Sequence, residues 1–216
     1  MESRDAILNR IRTALEGGPS VDLPPVPEVW PNTDPSTEQL VERFAQELHD
    51  VQGEFLRCGS MEEARQALAG LLDQSEWNLL GAVDRPICRE LTSELPSERV
   101  VWTRDGWPPS EMAEPPVGLV AAETLLADTG TCMVASDTAE QRLMCYLPPA
   151  CIIVARTDQL AEHLPAAWPQ IAGRTAEAEL RGEFVFITGP SRTADIEKIL
   201  ILGAHGPKRL VVILIG

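Results

Sequence analysis

The chain predicts an α/β fold: an open mixed, mainly parallel sheet flanked by helices, with added β-hairpins. Three observations carry that expectation. Between residues 36 and 102, short apolar runs alternate with segments whose apolar residues recur at helical spacing. Runs at 117–122, 125–127, 132–135 and 151–155 then follow one another with turns between them and little room for helix. The last run, Leu210–Ile215, is almost wholly aliphatic, as suits a strand covered on both faces.

Taken in order, residues 2–16 form an amphipathic helix with Ile7, Ile11, Ala14 and Leu15 on one stripe, stopped by Gly17-Gly18-Pro19. Six prolines between 19 and 35 make that stretch an extended linker. Residues 1–35 are therefore a helix and linker, and residues 36–216 a single α/β domain. The first helix docks either on that body or on a neighbouring subunit. Ser36 and Gln39 make a capping box ahead of Leu40, Phe44, Leu48 and Val51. A strand follows at 54–57. Ser60 and Glu63 make a second box, opening a helix that buries Ala64, Leu68, Leu71 and Leu72. Residues 77–83 read as a strand, 86–95 as a helix with proline in its first turn, 100–102 as a strand, and 108–116 as a loop. A helix from about Asp158, broken at Pro165 and Pro169, leads to a strand at 184–187. After the turn Thr188-Gly189-Pro190-Ser191, the spacing of Ile196, Ile199, Leu200 and Gly203 predicts a helix.

The 216 residues carry 18 basic and 33 acidic side chains, a formal net charge of −15. Residues 1–116 hold 10 basic and 22 acidic groups, residues 117–216 hold 8 and 11. The acidic first half repels nucleic acid and anionic membrane, and the second half is the less hostile place for an anion. Five cysteines contain no CxxC pair, which argues against a metal or iron–sulfur site within the chain. An odd cysteine count, no signal peptide and no long apolar run point to a reduced, cytoplasmic protein without membrane insertion.

Several short motifs bear on chemistry. In the expected strand–turn–helix at 184–203, the helix N-terminus, Ser191, Arg192 and Thr193 offer amides, hydroxyls and a guanidinium to an anion. The other reading is a well-capped turn with a solvated arginine. Asp128-Thr129-Gly130-Thr131 is either a hairpin turn or a ligand loop presenting hydroxyl and amide donors. Arg142 is a second anion ligand or one half of an exposed ion pair. Pro148-Pro149 stiffens the entry to a strand. Glu123, at a strand end, is a base or nucleophile candidate. His205, in Gly203-Ala204-His205-Gly206-Pro207, is a helix-stop residue or an acid–base group. No phosphate-loop, dinucleotide or nucleophile-elbow motif occurs.

TGPSRTADIE at 188–197 with LGAHGPKRL at 202–210, ADTGT at 127–131, and Arg142 with Leu147-Pro148-Pro149 resemble the lactate utilization protein C family, the stand-alone form of the LUD domain. The likeness runs from about residue 36 to the end and includes an N-terminal helix of similar kind. It implies a fold related to the sugar-phosphate isomerase and CoA-transferase group. It also implies a function, as one of three proteins needed to oxidise L-lactate to pyruvate, the other two being iron–sulfur proteins. The resemblance thus places the clusters in partner proteins, with no cofactor in this chain. Carried over residue by residue, it makes Asp128, Thr129, Gly130, Thr131, Arg142, Gly189, Ser191, Arg192, Thr193, Asp195 and His205 the residues that line or shape a site for a small anionic ligand. The family often has an apolar residue near Glu123, which weakens a catalytic role there. Two other readings stand beside this one. The first is an independent enzyme acting on a sugar phosphate or acyl-CoA, although Glu123 lacks a Glu-Asn-Gly setting. The second is a ligand-free assembly subunit whose N-terminal helix and acidic face dock the iron–sulfur partners.

Overall fold

The computed structural model describes residues 2–16, 29–31, 33–175, 183–194, 200–203 and 205–216. The chain forms two compact units, Met1–Pro31 and Asn32–Gly216. The first contains α1 (Glu2–Leu15), an amphipathic helix with Arg12 in its last turn, where a cation suits the dipole. Most of the proline-rich linker lies outside the described residues.

In the second unit, α2 (Thr37–Asp50) starts at Ser36, where hydroxyl and Gln39 side chain cap each other's backbone N–H as the sequence predicts. Val41, Phe44 and Leu48 face inward. β1 (Glu54–Cys58) leads to α3 (Met61–Gln74). Here only half of the expected box forms: Ser60 accepts the Glu63 N–H, while the Glu63 carboxylate accepts from Gly59 instead. β2 (Leu80–Ala82), α4 (Pro86–Leu91), β3 (Val100–Trp102), α5 (Pro109–Met112) and β4 (Val117–Ala121) continue the alternation. Helix α4 stops four residues earlier than expected, and α5 supplies one helical turn inside the expected loop. β5 (Thr124–Leu126), β6 (Thr131–Ser136), α6 (Ala139–Leu143) and β7 (Ala150–Arg156) follow. Then come β8 (Leu160–Ala161), α7 (Leu164–Thr175), β9 (Glu183–Ile187), β10 (Arg192–Ala194), β11 (Leu200–Leu202) and β12 (Arg209–Ile215).

Six strands form the main sheet, in the order β1-β12-β7-β4-β2-β3, and every pairing in it is parallel. β12 is interior, with Leu210–Ile215 all buried between β1 and β7. Its first residue, Arg209, forks onto Glu54 at 2.5 and 2.8 Å and stacks on Trp77, tying the starts of β1 and β12 together. A second sheet, β8-β5-β6-β9, is mixed. Its antiparallel β5–β6 hairpin is the added hairpin the sequence predicts, whereas β4 and β7, which read similarly in sequence, join the parallel sheet. A small separate core of Leu126, Met133, Ala167 and Ile171 seats α7 against this sheet.

Two expected helices are corrected. The one from Asp158 begins only at Leu164, after a 3₁₀ turn and β8. Once begun, it runs through Pro165 and Pro169 without a break. Pro165 falls in the first turn, where its missing N–H is not needed. The second correction falls on the turn at 188–191. β10 and β11 pair antiparallel, Arg192 opposite Leu202 and Ala194 opposite Leu200, so the chain leaves the turn as a hairpin strand and not as a helix. Residues 195–199, which carried part of the expected helical spacing, lie outside the described residues. The run Ile199-Leu200-Ile201-Leu202 suits a strand as well as a helix, and positive φ at Gly189 and Gly203 lets the chain turn sharply at both ends.

Candidate functional site

The motifs at 127–131 and 188–191 converge, and the end of α2 is what they converge on. Gly130 has φ +60°, and a Cβ there would lie 2.4 Å from the Leu48 backbone nitrogen. Gly189 has φ +81°, and its Cβ would lie 2.6 Å from the Val51 carbonyl oxygen. Both glycines therefore meet two demands at once, a left-handed backbone and a contact too close for a side chain. Hydroxyls join the motifs: Thr131 bonds Thr188 and donates to Thr129, both at 2.8 Å. Thr129 donates to Asp128, whose own N–H bonds the Glu162 carbonyl. This cluster abuts the carbonyl end of a helix, which disfavours an anion. Its hydrogen bonds run inward, consistent with a shaping role for Asp128, Thr129, Gly130 and Thr131.

Ser191 links the turn to the segment before β12. Its N–H donates to the Pro207 carbonyl and its carbonyl accepts from Gly203, both at 2.8 Å. Two adjoining clefts open beside this link, at the edge where β7 and β12 begin. One, of about 160 Å³, is walled by Tyr146, Thr188, Gly189, Ser191 and His205; the other, of about 420 Å³, by Tyr146, Pro148, Pro149, Gly203, His205 and Lys208. Gly203 leaves room for the Lys208 stem, which would overlap any Cβ there. Among the described residues, neither cleft is lined by a carboxylate, although the chain has 33. Lys208, His205 and the hydroxyls of Tyr146 and Ser191 are potential donors, while the Thr188 hydroxyl donates to Thr131. Burial raises the Tyr146 phenol pKa, keeping it a donor at neutral pH.

Of the residues expected at the site, Gly189, Ser191 and His205 line these clefts. Arg142 does not: it closes α6 and is ion-paired with Glu183. Arg192 is exposed on β10, and Thr193 follows it there, opposite Ile201. With a strand in place of the helix, the helix-terminus argument for an anion at Arg192 is lost. Asp195 lies outside the described residues. Sequence reading passed over Lys208, although it stands in LGAHGPKRL, and Tyr146, which stands in no motif, as site residues. The signal for Lys208 was its being one of only two lysines in an acidic chain.

All five cysteines are free and buried. Burial pushes the Cys88 and Cys145 thiols up to about 12 and raises the Cys132 and Cys151 thiols well above the ordinary value, so they stay protonated and packed. Among the described residues, no three His, Cys, Asp or Glu side chains converge as metal ligands, and no helix is long and apolar enough to cross a membrane.

A third cleft, of about 390 Å³, lies at the opposite edge of the parallel sheet. Arg85 reaches it from the loop after β2 and Pro86 from the start of α4, Ala122 and Glu123 from just past β4, and Arg156 and Gln159 from the end of β7 and the 3₁₀ turn after it.

Residues 110–215 match the LUD domain family, a segment that contains all the motifs just described. A protein named lactate utilization protein C from Shouchella clausii is 34% identical over 106 residues, 46% of this chain and 43% of that one. The chain thus aligns with under half the length of that relative. Another of the same name, from Halalkalibacterium halodurans, aligns over 100% of this chain and 98% of its own length at 27% identity. A crystal structure of a DUF162 family protein from Deinococcus radiodurans superposes with a TM-score of 0.66 at 21% identity, covering 84% of this chain and 99% of that one, which shows the shared fold. Over residues 110–215 the chain is similar to the LUD domain family, and over its whole length to a protein named lactate utilization protein C.

Proposed function

We propose that this chain is a subunit of an L-lactate utilization system, which binds a small carboxylate in the paired clefts at the amino edge of the parallel sheet. Its likeness to proteins named lactate utilization protein C supports the setting. The observation that carries the ligand class is the composition of the clefts: Lys208 and His205, three hydroxyls and no described carboxylate, in a chain of net charge −15. In so acidic a chain, a cleft with cationic and hydroxyl donors and no described carboxylate is a favourable place for an anion. In this reading, iron–sulfur partner proteins carry the electrons as L-lactate becomes pyruvate, and this chain holds no cofactor of its own.

Calorimetric titration of the full chain with pyruvate and L-lactate tests the site. Lys208→Gln and His205→Gln should each weaken binding by about tenfold, the worth of one charge-assisted hydrogen bond. Affinity that survives both substitutions rejects the cleft. For the role, cells lacking the protein should fail to grow on L-lactate and recover with the unaltered chain but not with Lys208→Gln. Undiminished growth of the deleted strain would end the lactate reading.

A further inference from the structure

The parallel sheet has a point at which its winding reverses. From β2 the chain passes through α4 to β3 at one side, whereas from β4 it proceeds by way of the second sheet to β7 on the other, and β2 and β4 are neighbours. Where successive connections diverge like this, the loops at the carboxyl ends of the two strands part and leave a crevice, the usual ligand position in open α/β sheets. The third cleft lies there.

Its floor is made of small side chains, Ala121, Ala122 and Ala135, which leave space above the strand ends. Polar groups of mixed sign surround the floor. Arg85 is held by Asp137 at 2.6 Å and Arg156 by Glu90 at 3.0 Å, two carboxylates that do not themselves line the cleft. Gln159 braces the opposite wall, donating to the Ala122 carbonyl at 2.7 Å and the Glu123 carbonyl at 3.3 Å while accepting the Arg156 N–H at 2.7 Å. That lattice fixes the backbone that carries Glu123. Guanidinium forks suit a carboxylate or phosphate, and a carboxylate side chain accepts from a hydroxyl.

We propose that the crevice at the carboxyl ends of β2, β4 and β7 is a second ligand site, which takes a small hydroxylated anion. Arg85 and Arg156 receive the anionic end and Glu123 accepts from the hydroxyl. The site is independent of the amino-edge clefts, and each can fail without the other.

The test is amide chemical-shift mapping on the ¹⁵N-labelled full chain with L-lactate, glycerate, glycerol 3-phosphate and, as the hydroxyl-free control, propionate. At least one hydroxylated anion should move the amides of 121–123 and 156–159, with propionate at least about tenfold weaker. Tighter binding of lactate or glycerate identifies a hydroxy acid; tighter binding of glycerol 3-phosphate identifies a phosphate ester. Arg156→Gln and Glu123→Gln should each weaken that binding about tenfold, and Arg57→Gln, which removes a guanidinium paired elsewhere with Glu38, should not. If Glu123→Gln impairs folding, Arg156→Gln, at the exposed end of β7, carries the comparison. Shifts confined to residues 146 and 205–208, equal binding of propionate, or no shift with any of the four overturn the proposal.

Discussion

The two edges of the parallel sheet make an instructive contrast. At the amino edge, the described lining carries no carboxylate and its charged or ionisable donors are Lys208 and His205, and the walls are tied by backbone bonds of Ser191 to Pro207 and Gly203. At the carboxyl edge, Arg85 and Arg156 stand beside Glu123 and Asp158, so donors and acceptors mix. As proposed, the first arrangement suits a ligand recognised by charge alone, and the second one recognised by charge and hydroxyl together. The edges also differ in how they are built. Tight glycine packing against the end of α2 shapes the amino edge, while the reversal of strand order opens the carboxyl edge.

The largest effect should come from breaking the amino edge at its glycines. Gly130→Ala and Gly189→Ala each combine a left-handed φ with overlap on α2 backbone, and each should cost about 3 kcal/mol or more in urea denaturation. A loss under about 1 kcal/mol would show that the end of α2 yields easily. Alkaline pH should weaken the same region. Cys145 lines the smaller amino-edge cleft, and its thiol is raised from about 8.5 unfolded to about 12 folded. Its contribution is therefore complete below pH ~8.5 and lost as pH rises toward ~12. A thiol-to-alanine variant should show a flatter alkaline limb, and an unchanged limb would refute the assignment.

Reciprocal substitutions sharpen the contrast itself. Lys208→Gln should reduce carboxylate affinity at the amino edge about tenfold and Arg156→Gln hydroxylated-anion affinity at the carboxyl edge about tenfold, with no cross-effect in either direction. The smallest effects belong to the two arginines that the motifs made prominent. Arg142→Ala removes a largely exposed pair with Glu183 and should cost ~0.2–1 kcal/mol. Arg192→Ala, at an exposed residue of β10, should change stability by less than ~0.5 kcal/mol and leave amino-edge affinity intact. A tenfold affinity loss in Arg192→Ala would return that residue to the site.

Local patterns determined much of this protein before any tertiary contact. The Ser36 cap, the apolar faces of α2 and α3, and the aliphatic run of β12 each rest on interactions within a few residues or on burial alone, and all appear as read. Only the family resemblance put Ser191 and His205 at one site; the structure joins their segments through the backbone bonds of Ser191 to Pro207 and Gly203. Tertiary structure decided the rest. Whether residues 192–194 and 200–202 form strand or helix depends on pairing between them, since leucine and isoleucine runs suit either. Likewise β4 and β5 look alike in sequence, and only the partners available decide which joins a parallel sheet. Arg85, Glu123 and Arg156 share no motif and are dozens of residues apart. They meet because parallel strands bring all their carboxyl ends to one edge, a fact of topology that no local stretch of sequence contains.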